Sequence, residues 1–280
     1  RVDRNPPHAH DAARPHTDHG GPDMTPNILS IAGSDPSGGA GIQADIKAIS
    51  ANGGYAMAVI TALTAQNTRG VSAVHLTPPE IVAAQIRAIR EDIAVHAVKI
   101  GMLGDAEITA CVAREIAGIG CPVVLDPVMV AKGGDRLLDA ASVGALRDSL
   151  LPLASVVTPN LPEAADLLDR PEAKCRDDMQ AQARALLALG PAAVLLKGGH
   201  LAGEVSDDLL ATRETETWLS GPRIATGNTH GTGCTLSASI AAGLAKTLSL
   251  GEAMREAHRY LQGAIAAANG MGVGSGHGPV

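Results

Sequence analysis

The feature that most constrains the fold of this chain is a repeated change of hydrophobic period. Short apolar runs alternate with helical patterns, and glycine and proline punctuate the boundaries. Ile28–Ala32 reads as a strand, after which Ile42, Ile46 and Ile49 recur at i, i+4 and i+7, the spacing of one helix face. Tyr55–Leu63 reads as the next strand. Pro78-Pro79-Glu80 then opens a helix, with proline in the first turn, where its missing N–H costs nothing. Strands are expected at Ala97–Gly101, Pro122–Asp126, Ser155–Thr158 and Ala193–Lys197, and helices over 106–117, 178–189, 232–246 and 251–268. This alternation predicts βαβ units and an α/β fold: a largely parallel sheet with helices on both faces. No linker or internal repeat interrupts residues 24–280, which are expected to form one domain. Ligands on such sheets bind beyond the carboxyl ends of the strands. The polar and glycine-rich segments 33–41, 64–70, 101–105, 126–136, 158–163 and 197–200 each follow a predicted strand, so they are expected to share one rim.

Composition narrows the function. The net charge is −7, with no basic footprint for nucleic acid or an anionic membrane. With no Phe, one Trp and two Tyr, the chain also lacks the stacking platforms of a single-strand reader. Four cysteines without a CxxC pair fit a reducing cytoplasm better than a disulfide framework or a zinc ribbon. Residues 1–23, with His8, His10, His16 and His19, contain no apolar run and read as a disordered extension, not as a secretory signal. The glycine-rich segment 272–278 reads as a flexible end.

Asn228-Thr229-His230-Gly231-Thr232-Gly233-Cys234 precedes a helix with the apolar stripe Leu236, Ile240 and Leu244. Glycines at a helix start let free N–H groups converge on an anion, and a phosphate is the natural occupant; the bland alternative is a tight turn. Cys234 lies where the helix dipole would lower a thiol pKa, so it could add its N–H to the anion site or act as a base. A buried cysteine is usually an inert small hydrophobe, and a hydrolytic Cys234–His230 pair would need continuous helix across i, i+4, which Gly231 and Gly233 oppose. Lys197, ending an apolar strand, needs a negative partner such as a nucleotide phosphate, unless its stem packs on the core and its head reaches water. Asn160 and Glu163, three residues apart, suit water-mediated Mg²⁺ binding or simply a helix start. Asp126 could orient metal-bound water or the substrate hydroxyl, or cap its own loop. The amide of Gln66 offers the donor and acceptor that an aminopyrimidine edge requires, as does Asn67, though either could merely tie down its loop.

Seven segments, in order, resemble the hydroxymethylpyrimidine/phosphomethylpyrimidine kinases of the ribokinase-like superfamily: AGSDPSGGAGIQAD (32–45), ITALTAQNTRGV (60–71), VKIGMLG (98–104), VVLDPVMVAKGGDRLL (123–138), TPNLPEAADLL (158–168), LLKGGHLAG (195–203) and NTHGTGCTLSASIAAG (228–243). The resemblance implies a ribokinase-like α/β fold and a homodimer. It also implies two ATP- and Mg²⁺-dependent phosphoryl transfers in thiamine biosynthesis, to an aminopyrimidine alcohol and then to its monophosphate. It places Gln66, Asp45, Gly33, Met102 and Val128 around the pyrimidine, and Gly231, Gly233 and Cys234 at an anion hole, with Cys234 where many superfamily members carry a general-base Asp. Lys197, Asn160, Glu163 and Thr232 fall on the ATP side, and Asp126 and Glu163 near Mg²⁺ through water. The rivals are a pyridoxal kinase, whose lid cysteine has no counterpart in 127–136, and a non-catalytic nucleotide- or vitamin-binding module.

Overall fold

A computed structural model of the protein describes residues 25–129 and 139–280. The 1–23 extension and most of the 127–136 segment lie outside the described residues.

The chain runs β1 (Asn27–Ser34), α1 (Gly41–Ala51), β2 (Tyr55–Asn67), β3 (Gly70–Leu76), α2 (Pro79–Asp92), β4 (Ala97–Ile100), α3 (Ala106–Ile116), β5 (Val123–Leu125) and α4 (Ala140–Ala145). It continues with β6 (Val156–Val157), α5 (Leu161–Leu168), α6 (Arg176–Leu187), β7 (Ala193–Leu196), β8 (Val205–Thr212), β9 (Glu216–Pro222), α7 (Thr232–Ala245) and α8 (Leu250–Ala268). All the strands join one sheet in the order β3-β2-β1-β4-β5-β6-β7-β8-β9. Pairings from β2 through β7 are parallel, and an antiparallel ribbon closes each edge.

Strand alternation sorts the core into two layers. Leu29, Ile31, Val98, Ile100, Val123 and Leu125 face one way and pack with residues of α2 to α6. Ile28, Ala97, Val124, Val156 and Leu195 face the other way, against α1, α7 and α8. The central strands are therefore apolar on both sides, as a sheet covered on two faces requires. Lys99 is the exception: it sits in β4 between Val98 and Ile100 and is fully buried.

The parallel strands and principal helices lie where the hydrophobic period places them. Segment 64–70 differs: the expected loop is instead the far end of β2, a turn and the start of β3. β3 protrudes beyond the core and is largely exposed, so its sequence has little apolar alternation to betray it. β8 and β9 were not anticipated either. The expected flexible end is tied down: His277 N–H donates to the Thr68 carbonyl at 2.8 Å, and His230 N–H to the Gly278 carbonyl at 3.0 Å. No helix among the described residues is long and apolar enough to cross a membrane.

The two-sided core fixes one stability expectation. Ile100→Ala, at a site with no solvent exposure, should cost roughly 2–5 kcal/mol in urea unfolding. Ile81→Ala, at a residue 50% exposed, should stay within about 0.5 kcal/mol.

Candidate active site

The sheet order reverses direction beside β1, whose neighbours are β2 and β4, and a cavity of about 770 Å³ opens past the carboxyl ends of these strands. One helix start dominates its floor. α7 is buried along most of its length, so the chain must enter it from beneath the cavity. Gly231 is its N-cap, with φ +81° and no side chain to cap the first turn. A Cβ at Gly231 would also collide with the carbonyl oxygen of Gly39. Only glycine admits both the left-handed backbone and this close approach. The consequence is a helix N-terminus whose N–H groups lack a side-chain acceptor and point at the cavity, with the helix dipole behind them.

Lys197 stands opposite. Its strand, β7, ends at Leu196, and its Nζ lies 3.1 Å from Asp126 Oδ1 and 3.9 Å from Glu163 Oε2. A Cβ at Gly233 would sit 3.3 Å from that ammonium and 3.5 Å from Asp126 Oδ2, so the second glycine of the loop keeps this space open. Asp126 also accepts from Thr158 Oγ1 at 3.1 Å and from Ser237 Oγ at 3.3 Å. Burial alone would raise its carboxyl, but Lys197 and Lys99 hold it below the ordinary carboxylate value. Glu163 has no such surplus of cations. Burial pushes it up to about 7, against the pull of Lys197. Lys197 itself stays charged, because Asp126 and Glu163 outweigh its burial.

Asn160 and Glu163 turn out to be a helix start as well as cavity lining. Asn160 Oδ1 accepts from Glu163 N–H, and Glu163 Oε2 from Asn160 N–H, each at 2.8 Å, a capping box on α5. Thr232 lines the same wall, its hydroxyl donating to the Thr229 carbonyl at 3.2 Å.

At the other end of the cavity, Gly33 lies against Met102. Its N–H donates to the Met102 carbonyl at 3.1 Å, and a Cβ there would stand 3.3 Å from the thioether sulfur. Val128 and Gln66 complete this wall. Gln66 Oε1 accepts from Thr64 Oγ1 at 3.2 Å, and its Nε2 is 3.5 Å from His230 Nε2. Asp45 is placed differently from expectation: it is fully buried, away from the lining residues. The inward face of α1 carries it behind the wall, where Lys99 Nζ stands 2.9 Å from its carboxylate and Ser30 Oγ donates at 2.6 Å. Lys99 is the side chain that reaches the cavity. Any effect of Asp45 on a ligand passes through it.

One expectation for Cys234 changes. Burial pushes its thiol up to about 11, against the pull of nearby Lys99, so it is protonated at neutral pH. It also forms no hydrolytic dyad. His230 Nε2 is 2.7 Å from Asp35 Oδ2, and no hydrogen bond joins His230 to Cys234 among the described residues.

The sequence reading missed Lys99, Asp35 and Asp208. A lone charge within Ala97–Ile100 was the available signal for the first, since a buried lysine needs a partner. Asp208 gave none. It lines the end of the cavity near His258 and accepts from Gly198 N–H at 2.9 Å, shaping the turn after Lys197.

Residues 35–280 match the family model described as phosphomethylpyrimidine kinase. The hydroxymethylpyrimidine/phosphomethylpyrimidine kinase of Escherichia coli (strain K12) is 52% identical over 255 residues, covering 91% of this chain and 96% of that protein. Among solved structures, the phosphomethylpyrimidine kinase from Clostridium difficile superposes with a TM-score of 0.77 at 41% identity, covering 86% of this chain and 100% of that one. The pyridoxal kinase from Staphylococcus aureus in complex with AMP-PCP and pyridoxal gives a TM-score of 0.83 at 32% identity, over 92% and 93% of the two chains. With a ribokinase-like sheet, an uncapped glycine-built helix start on its rim and matches of this extent, the chain belongs to the phosphomethylpyrimidine kinase family.

Proposed function

We propose that this protein uses ATP to phosphorylate 4-amino-5-hydroxymethyl-2-methylpyrimidine and then the resulting monophosphate, yielding the diphosphate used in thiamine diphosphate biosynthesis. The observation that carries this reading is the uncapped start of α7 facing Lys197 across the same cavity that Gln66 lines. An anion site, a cation and an amide reader share one space. The pyridoxal-kinase alternative rests on lower identities, 32% and 39% against 52%, and the binding-module alternative leaves the Lys197–Asp126 pair without a task.

In this reading the amide of Gln66 meets the aminopyrimidine edge, with Met102 and Val128 against the ring faces. The triphosphate lies between Lys197 and the N–H groups of Thr232, Gly233 and Cys234. The substrate oxygen bonds to the γ-phosphorus as the bond to the β,γ-bridging oxygen breaks, and ADP leaves. A protonated Cys234 is no ready base. Phosphoryl transfer through a loose transition state depends chiefly on positioning and charge, and the hydroxyl proton departs late, to a phosphate oxygen or to water. ATP use is supported by the AMP-PCP bound in the pyridoxal kinase neighbour.

Mg²⁺ fits the residues present. Asp126 and Glu163 share one lysine, so the pair is one cation short when both are ionised. No group of three or more His, Cys, Asp or Glu among the described residues could hold a metal unaided. Mg²⁺ commonly takes one or two carboxylates, with phosphate and water supplying the rest. When bound, it would neutralise phosphate charge as the γ-phosphoryl group departs. The homodimer belongs to the same proposal, with exposed Leu63 and Val74 on the β2–β3 ribbon as apolar surface for a second copy.

Product analysis by mass after incubation with the pyrimidine alcohol and ATP/Mg²⁺ should show the mono- and then the diphosphate; neither product would end this reading. Lys197→Met should lower kcat roughly 10²–10³-fold. Cys234→Ala should lower it at least about tenfold, through misplacement of the acceptor, with an unchanged melting temperature. Glu163 gives a pH expectation. Its folded-state pKa is raised from the ordinary 4.5 to about 7, so it contributes most to stability at acid pH and loses this as pH rises across that window. Glu163→Gln stays neutral and can still cap α5. Its melting temperature should therefore gain on the wild type between about pH 5 and about pH 8, and an equal or opposite trend would count against the buried-acid assignment.

A further inference from the structure

The segment 274–280 has no part in the chemistry described so far, yet it touches both ends of the cavity. Gly276 N–H donates to Thr68 Oγ1 at 3.2 Å, and His277 N–H to the Thr68 carbonyl at 2.8 Å. Thr68 lies two residues beyond Gln66 in sequence. Two residues further along the segment, the Gly278 carbonyl accepts from His230 N–H at 3.0 Å, and Val280 N–H donates to the His230 carbonyl at 3.3 Å. His230 directly precedes Gly231. One extended stretch of backbone thus ties the strand end that carries Gln66 to the loop that builds the anion site.

The fit of this segment leaves no room for side chains at alternate positions. A Cβ at Gly274 would collide with the side chain of Thr68, one at Gly276 with the Thr68 carbonyl, and one at Gly278 with the side chain of Asn228. The side chain of His230 adds a second tie. Its ring is 5% exposed, and its Nε2 meets Asp35 Oδ2 at 2.7 Å. Asp35 in turn accepts from Ser37 N–H at 2.8 Å and Ala40 N–H at 2.9 Å, which fixes the 35–41 loop. A Cβ at Gly39 would strike the imidazole itself. The 35–41 loop, the end of β2 and the C-terminal segment therefore converge on residue 230.

We propose that His230 is a positioning residue, and that segment 274–280 is a backbone strap that acts through it to hold the anion loop in register with Gln66. The acceptor held by Gln66 must meet the γ-phosphorus held by the anion loop, so their separation depends on that register. An error of about 1 Å in such a placement can reduce turnover about 10²-fold. This role rests on the kinase reading where activity is concerned, but the mechanical part does not.

The test therefore uses two readouts. In Gly276→Ala, whose Cβ meets the Thr68 backbone, amide hydrogen exchange at His230 and Thr235, whose N–H groups donate to the Gly278 and Gly231 carbonyls, should accelerate at least about tenfold while β4 stays protected, since local opening need not involve the core. Its kcat should fall about ten- to hundredfold, with a melting temperature close to that of the wild type. His230→Ala should lower kcat similarly, and His230→Gln, which retains a donor for Asp35, should restore part of it. Exchange at His230 and Thr235 that is unchanged, or that rises equally across the whole chain, would overturn the strap. Wild-type turnover in His230→Ala would overturn the positioning role. An inactive wild type with the exchange response intact would remove the substrate assignment and leave the strap standing.

Discussion

Everything at the site depends on how closely two glycine loops can approach. Gly231 presses on the carbonyl of Gly39 so tightly that no side chain fits between them. That contact brings the uncapped start of α7 to the carboxyl ends of β1 and β4. Unpaired N–H groups at a buried helix start are normally a liability that a serine or aspartate removes. Here Gly231 supplies no such acceptor, and the first turn stays available to an anion. The sheet brings the other groups to meet it: Lys197 follows β7, Asp126 follows β5, and Glu163 sits in the capping box of α5.

Much of the fold was legible because its central strands are apolar on both faces and its helices begin with recognisable signals. Ile42 and Ile49 are buried on the inner face of α1 as their spacing implies, whereas Ile46, expected on the same face, is 37% exposed; proline opens α2. The failures share a physical cause. β3 and the outer part of β2 extend past the core, so burial imposes no alternation on Thr64, Gln66 or Asn67, and a polar strand looks like a loop. Segment 272–278 misled for the converse reason. Its glycines suggest freedom, whereas Gly274, Gly276 and Gly278 are required by close backbone contact.

The site was legible at the level of which residues meet, but less so in their protonation. Lys197, Asp126, Glu163, Gly233 and Cys234 converge as the order of segments implied. The thiol is raised and not lowered, because burial of Cys234, with Asp45 and Asp126 nearby, outweighs the pull of Lys99. Sequence alone does not reveal how deeply a first-turn residue is buried. Asp45 shows the same limit: its place in a matching segment put it near the acceptor, but only the packing of α1 against β1 and β4 shows that Lys99 stands in front of it.

The charges of the cavity form a graded set. Each lysine has a close carboxylate, Lys99 with Asp45 and Lys197 with Asp126, so the resting site carries little uncompensated charge, and Glu163 holds its proton until pH approaches 7. A chain with net charge −7 would otherwise repel a triphosphate. Local pairing solves this without a basic surface, since backbone dipoles and two buried ammonium groups act at short range in a medium that screens poorly. The same arrangement separates two tasks. Lys99 is locked between Asp45 and the strand, whereas Lys197 lies at the end of its strand and is 16% exposed in its side chain. In the proposed reaction Lys197 would exchange Asp126 for phosphate oxygens, and recognition of the donor would be a transfer of ion-pair partners along the rim, with the helix start providing the part of the field that does not move.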